Sequence, residues 1–179
     1  MIRMMVIVAG AVLVAGVSAS PIETVVLGPS GAVDIEAGTE EMADPHVAVM
    51  FDLSGIPEEA VVFYAALRLT EGTGSPWEVE YVPVVVAPAA HTWDTETEGV
   101  AWDEGRTARR VVMRQAATPS KFVVTKTVKE WVGGIRPNNG LVAMLEEVAD
   151  LQDMATQFNA EALKPSLEIR YFLPQERTR

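Results

Sequence analysis

The chain has 179 residues, 49% of them hydrophobic and 22% charged, the length and balance of one globular domain with its own core, which excludes a disordered chain. Cysteine is absent, so disulfides, thiolate metal sites, a thiol nucleophile and a lipidated-cysteine anchor are excluded. The net charge of −11 repels phosphate backbones and anionic lipid, which argues against nucleic acid and membrane surfaces as partners.

The first nineteen residues read as a signal peptide. Arg3 supplies the basic start, Met4 to Val17 is an apolar run, and Val17-Ser18-Ala19 offers small residues before a cut at Ser20. The run is shorter than the ~20 apolar residues that span a bilayer. Export follows as an expectation, to a periplasm, the cell surface or the medium. Residues 20–44 form a short N-terminal segment, and 45–173 are expected to be the folded domain. The tail 174–179 is charged and carries no hydrophobic anchor.

Within the mature chain, strands punctuated by turns are predicted. Gly28-Pro29-Ser30-Gly31 is a turn. His46 to Leu53 alternates, with Val47, Val49, Phe51 and Leu53 on one face. Ser54 to Glu59 is a turn-rich connection. Val61 to Leu69 alternates again, placing Val61, Phe63, Ala65, Leu67 and Leu69 on one side against Tyr64 and Arg68 on the other. Trp77, Val79 and Tyr81 oppose Glu78 and Glu80. Pro83 and Pro88 bracket Val84-Val85-Val86, which predicts an edge or sheet-switching strand because proline cannot donate to a ladder. Further strands are expected at 110–114, 121–124, 141–145 and 166–172. Thr125 to Trp131 reads as a short helix that Thr125 can cap, with Trp131 in the core and Gly133-Gly134 as its end. Leu145, Val148, Leu151, Ala155 and Phe158 recur at helical spacing behind Glu146-Glu147, an amphipathic pattern over 145–158. Many short strands with little helix point to an antiparallel sandwich or jelly roll.

Catalytic constellations are poor. His46 and His91 stand far apart with no zinc-protease spacing, and Gly28 to Gly31 lacks the setting of a nucleophile elbow. A pair of carboxylates cannot be read from sequence alone. Two acidic stretches, Asp34 to Asp44 and Asp94 to Glu104, could offer oxygens to calcium, with Asp94, Glu96 and Asp103 the candidate ligands. Neither stretch has the spaced pattern of a dedicated calcium loop. Calcium is therefore the one candidate ion, and no other cofactor is expected. Sugar rings stack on exposed aromatics, which makes Trp77, Tyr81, Trp93 and Trp102 the candidate ligand contacts. Core positions would give Trp93 and Trp102 the same spacing.

Several blocks in order resemble the DNRLRE domain, the disaggregatase-related module that includes carbohydrate-binding members. Phe51-Asp52-Leu53-Ser54-Gly55-Ile56-Pro57 and Ala65 to Leu69 resemble its strand–turn–strand, and Trp93 and Trp102 its paired tryptophans. Val124-Thr125, Val128 to Gly134 and Asn138 to Leu141 are similar to its helix and following strand, and Phe158 to Glu161 and Pro165 to Tyr171 to its closing strand. This chain departs in a shortened N-terminal segment and in Val123 and Lys126, where aspartates are common. The resemblance implies an exported, non-catalytic jelly-roll β-sandwich with one short helix near 125–133. It also implies that 145–158 is a loop that can hold a short helix, followed by strand near 153–159. Two functions follow as expectations: binding a polysaccharide or glycan, or holding protein partners as an assembly module of the envelope. A glycan-cleaving enzyme is the least supported.

Overall fold

The computed structural model describes residues 20–35, 46–70, 81–94, 100–113, 119–145 and 158–174. Among these residues nine strands dominate: β1 (Glu23–Leu27), β2 (Gly31–Ile35), β3 (His46–Met50), β4 (Val61–Leu69), β5 (Tyr81–Pro88), β6 (Ala108–Met113), β7 (Ser120–Val123), β8 (Leu141–Leu145) and β9 (Ser166–Phe172). Among the described residues two helices accompany them, α1 (Thr125–Val132) and the single turn α2 (Ala160–Leu163), with a 3-10 turn at Glu104–Arg106. The strands form two antiparallel sheets, one of four in the order β1-β9-β4-β7 and one of five in the order β2-β3-β8-β5-β6. Only β2–β3 and β5–β6 are sequential neighbours within a sheet. Every other connection crosses to the opposite sheet. The proposed signal peptide lies outside the described residues. Among the described residues no helix is long and apolar enough to cross a membrane.

The core sits between the sheets. Val47, Val49, Val84, Val86, Leu141, Ala143 and Leu145 meet Val62, Leu67, Phe122, Leu167 and Ile169 across it, giving a β-sandwich-like arrangement. The period-2 alternation that puts these residues on one face is what drives the two sheets together. Residues 51–53 continue the β3 face beyond the ladder, with Phe51 buried and Leu53 packed on the core. β1 and β2 come from the short segment before residue 45, one joining each sheet.

Four sequence expectations change. In β4 the pairing with β9 slips between Val62 and Tyr64. This bulge turns Val62 inward and leaves Val61 and Phe63 exposed, against the simple alternation. β5 is an interior strand between β8 and β6 rather than an edge. Its prolines are tolerated because the ladder with β8 runs only from Val84 to Pro88: Pro83 lies beyond its last pair and Pro88 closes its other end. Thr125 opens α1 but does not cap it. Its hydroxyl accepts from the Ala65 N–H at 2.9 Å, and the Val124 N–H donates to the Ala65 carbonyl at 2.9 Å, so the helix start continues the β4–β7 ladder. Finally, Phe158 and Asn159 are not strand. Asn159 caps α2 through the Ala162 N–H, and the rest of the segment 146–157 lies outside the described residues.

Gly133-Gly134 ends α1 as expected. The Ile135 N–H reaches the Glu130 carbonyl and the Gly134 N–H the Trp131 carbonyl, with Gly134 at φ +64°, a Schellman close. This turn aims the chain back over the end of the sandwich and so positions Arg136 to Asn139.

Candidate functional site

The two sheets treat their outer faces differently. On the five-stranded sheet the outward residues of β3, β8 and β5 are small or slender. Ala48 pairs Val142, which pairs Ala87; His46 pairs Met144, which pairs Val85. The segment that leaves β5 folds back over them. The Ala90 N–H donates to the Ala101 carbonyl and the Asp103 N–H to the Pro88 carbonyl, so residues 101–103 run antiparallel beside the end of β5. Val100 buries there, and Trp93 and Trp102 pack half-buried on the same cluster. Trp102 also meets the ring of His46 edge-on at 5.7 Å.

Where this cover meets the C-terminal end of α1, a cleft of about 480 Å³ opens. Trp102, Trp131 and Thr127 line it together with Asp103, Arg106, Arg136 and Asn139. Four of the charged groups around it form one network. Arg106 donates to both carboxylate oxygens of Glu130, and its Nε lies 3.3 Å from Asp103. Arg136 reaches Asp103 at 3.6 Å and Glu130 at 3.5 Å. The hydrogen bonds from Arg106 hold the Glu130 carboxyl below the usual glutamate range, with the charges of Arg106, Arg136 and Lys126 adding to the effect against partial burial. The same contact raises Arg106 above the ordinary arginine value. Arg106 is enclosed, with its side chain 19% exposed, while Arg136 is 52% exposed at the rim. The cleft thus combines indole surface with planar, directional polar groups, one of them, Arg136, half-exposed at the rim.

The wall formed by residues 137–140 is fixed by amides. The Asn138 side chain donates to the Phe51 carbonyl at 2.8 Å and accepts from the Gly140 N–H at 3.2 Å. Trp93 Nε1 donates to the Asn139 carbonyl at 2.7 Å, and Asn139 Nδ2 donates to the Ala90 carbonyl at 3.3 Å. Asn139 is buried, and its Oδ1 has no hydrogen-bond partner.

The structure places the expected contacts unevenly. Trp102 lines the cleft, and Trp93 braces its wall without lining it. Tyr81 is the first residue of β5, paired with Met113, and its side chain lies outside the described set. Trp77 and Glu96 lie outside the described residues. Asp94 is exposed, as is His91. Asp103, taken as a calcium candidate, accepts from the Gly105 N–H and faces two guanidinium groups. Among the described residues no three acidic or imidazole groups gather as a metal site. Arg106, Glu130, Arg136 and Asn139 were not singled out as site residues from the sequence. Glu130 and Asn139 fall within blocks that carry the family resemblance, which was the one available signal. No family model matches the chain, and no curated protein matches it.

Proposed function

We propose that this chain is an exported, non-catalytic jelly-roll module that binds a polysaccharide or glycan in the cleft beside Trp102. The observation that carries this reading is the meeting of Trp102 with the rim guanidinium of Arg136 and the amide of Asn139 in one cleft of about 480 Å³. Sugars present an apolar C–H face and a ring of hydroxyls, and an indole with planar donors and acceptors answers both. The jelly-roll winding is supported by the strand order, in which β1-β9-β4-β7 opposes β3-β8-β5-β6 with β2 added at the edge. The apolar run Met4 to Val17 with its small-residue exit supports export, and the resemblance to DNRLRE domains supports glycan as the ligand.

A hydrolytic role is disfavoured by the carboxylates themselves. A glycosidase needs one acid whose pKa is raised so that it can protonate the leaving group. Glu130 is held the other way by Arg106, and Asp103 is engaged with two arginines.

The test is a glycan array and polysaccharide pull-down with the purified protein, with and without calcium, repeated on Arg136→Ala. Binding to at least one glycan, weakened several-fold in the variant, is expected. No binding to any glycan in either condition overturns the reading. Mass measurement of the protein recovered outside the cytoplasm, expected to begin at Ser20, tests export separately.

A further inference from the structure

The charges around the cleft bear on which sugars it can hold. Among the described residues its lining carries Asp103, Glu104, Arg106 and Arg136, two acids and two bases. Glu130 stands behind them, with its side chain 16% exposed, and faces both guanidinium groups. Each arginine therefore meets two carboxylates. Arg106 holds Glu130 and lies 3.3 Å from Asp103. Arg136 lies 3.5 Å from Glu130 and 3.6 Å from Asp103. Lys126 also acts on Glu130 through its charge, which balances the exposed carboxylate of Glu104. The cleft is thus near neutral, in a chain whose total charge is −11.

An anionic sugar gains little from such a rim. Its carboxylate or sulfate would approach Arg136 beside the two carboxylates that this arginine already faces, so attraction and repulsion offset one another. The negative chain around the cleft opposes its approach as well. An uncharged sugar meets neither obstacle. Each hydroxyl donates and accepts at once, and an ionised carboxylate has about four lone-pair sites. Neighbouring hydroxyls can therefore accept from Arg136, 52% exposed, and donate to Asp103, 34% exposed. The half-buried indole of Trp102 offers its apolar surface alongside.

We infer that the cleft takes an uncharged saccharide and discriminates against uronate-bearing and sulfated ones, with Asp103 as the residue that sets this preference. This rests on the reading that the cleft holds glycan. Asp103 acts twice: it accepts from sugar hydroxyls, and it cancels the charge of Arg136 that an acidic sugar would need.

The test compares binding of the purified protein to galactan and polygalacturonate, to dextran and dextran sulfate, and to cello- and manno-oligosaccharides, with and without calcium. The tightest ligand should be uncharged, and its affinity should change less than about twofold between low and high salt, because binding neutralises no net charge. Asp103→Asn keeps the shape and the acceptor for the Gly105 N–H but leaves Arg136 partly uncompensated. It should raise polygalacturonate binding relative to the neutral ligand by roughly two- to fivefold, the scale of one exposed charge contact. Polygalacturonate or dextran sulfate binding as tightly as every neutral ligand overturns the inference and leaves the glycan reading standing. Absence of binding to any glycan overturns both. An unchanged ratio in the folded variant overturns the role of Asp103.

Discussion

Among the described glycines, Gly140 is the one least tolerant of a side chain. Its φ is +83°, and a Cβ built on it would sit 2.4 Å from the Val49 carbonyl oxygen and 3.2 Å from the Val49 carbonyl carbon. Gly134 also has positive φ, +64°, but has open space around it. Replacing each by alanine therefore separates two costs. Gly134→Ala meets only the left-handed backbone penalty, about 1 kcal/mol. Gly140→Ala meets the same penalty plus a steric displacement. Val49 cannot retreat, because β3 is held between β2 and β8 through Val49–Ala32 and Val49–Leu141. Overpacking of this kind adds about 1–3 kcal/mol, for a total of about 3 kcal/mol. At roughly 2–4 °C per kcal/mol for a domain of this size, Gly134→Ala should lower Tm by about 3 °C and Gly140→Ala by about 9 °C. Thermal and urea unfolding followed by circular dichroism measure both. The Gly140 variant should also change tryptophan emission, since residue 139 holds the Trp93 indole. Equal losses in the two variants would refute the close approach to Val49.

Thr125→Val removes the acceptor of the Ala65 N–H and should cost about 1–3 kcal/mol, whereas Thr125→Ser should keep most of the stability; paired urea melts decide it. Glu130 is held below the ordinary glutamate range first by the Arg106 hydrogen bond, and Glu168 first by that of Lys121. Both therefore add stability that is full above an unfolded glutamate pKa of about 4.3 and is lost as pH falls through the lower folded values. Glu168→Gln should flatten the acid limb of Tm against pH, and at neutral pH should cost no more than about 1–2 kcal/mol because its cations can rehydrate. The Tyr171 phenol is raised above its usual value, first by donating to Glu23 at 2.7 Å and then by burial. Its contribution is full below about pH 10 and is lost as pH rises through the raised value. Tyr171→Phe should therefore cost about 1 kcal/mol at neutral pH and shrink the alkaline loss.

Two of the strands expected from short apolar stretches between turns were legible in extent: β8 and β9 run over Leu141–Leu145 and Ser166–Phe172. β4 was legible in extent but not in facing, because a bulge is a property of two strands and Phe63 carries no local mark of it. The prolines of β5 misled for a related reason. A missing N–H matters only opposite a partner, and β8 stops short of Pro83. The cleft was half legible. Trp102 stood out by residue type, but Arg106 comes from one segment and Glu130 and Arg136 from another, and only the Schellman turn after α1 brings Arg136 over Asp103. Thr125 looked like a cap because caps are local. Its actual partner, Ala65, lies 60 residues away.

The unequal cover of the two sheets bears directly on where a ligand can sit. One outer face is filled by Val100, Trp93 and Trp102 lying on Ala48, Ala87 and Val142; the other keeps Val26 and Val123 in water. Large aromatics fit over the first because the strands beneath present side chains no larger than valine along that row. Enlarging the row should therefore lift the cover and reshape the cleft at its margin, whereas the same enlargement on the open face should do little. Ala48, fully buried, tests the first: Ala48→Leu should cost about 1–3 kcal/mol by overpacking and shift tryptophan emission to longer wavelength as Trp93 and Trp102 lose contact. Val123→Leu, at 58% exposure, should stay within about 0.5 kcal/mol of the parent with unchanged emission. If Ala48→Leu left both stability and emission as they were, the tryptophans would not rest on that row, and the cleft would have some other floor.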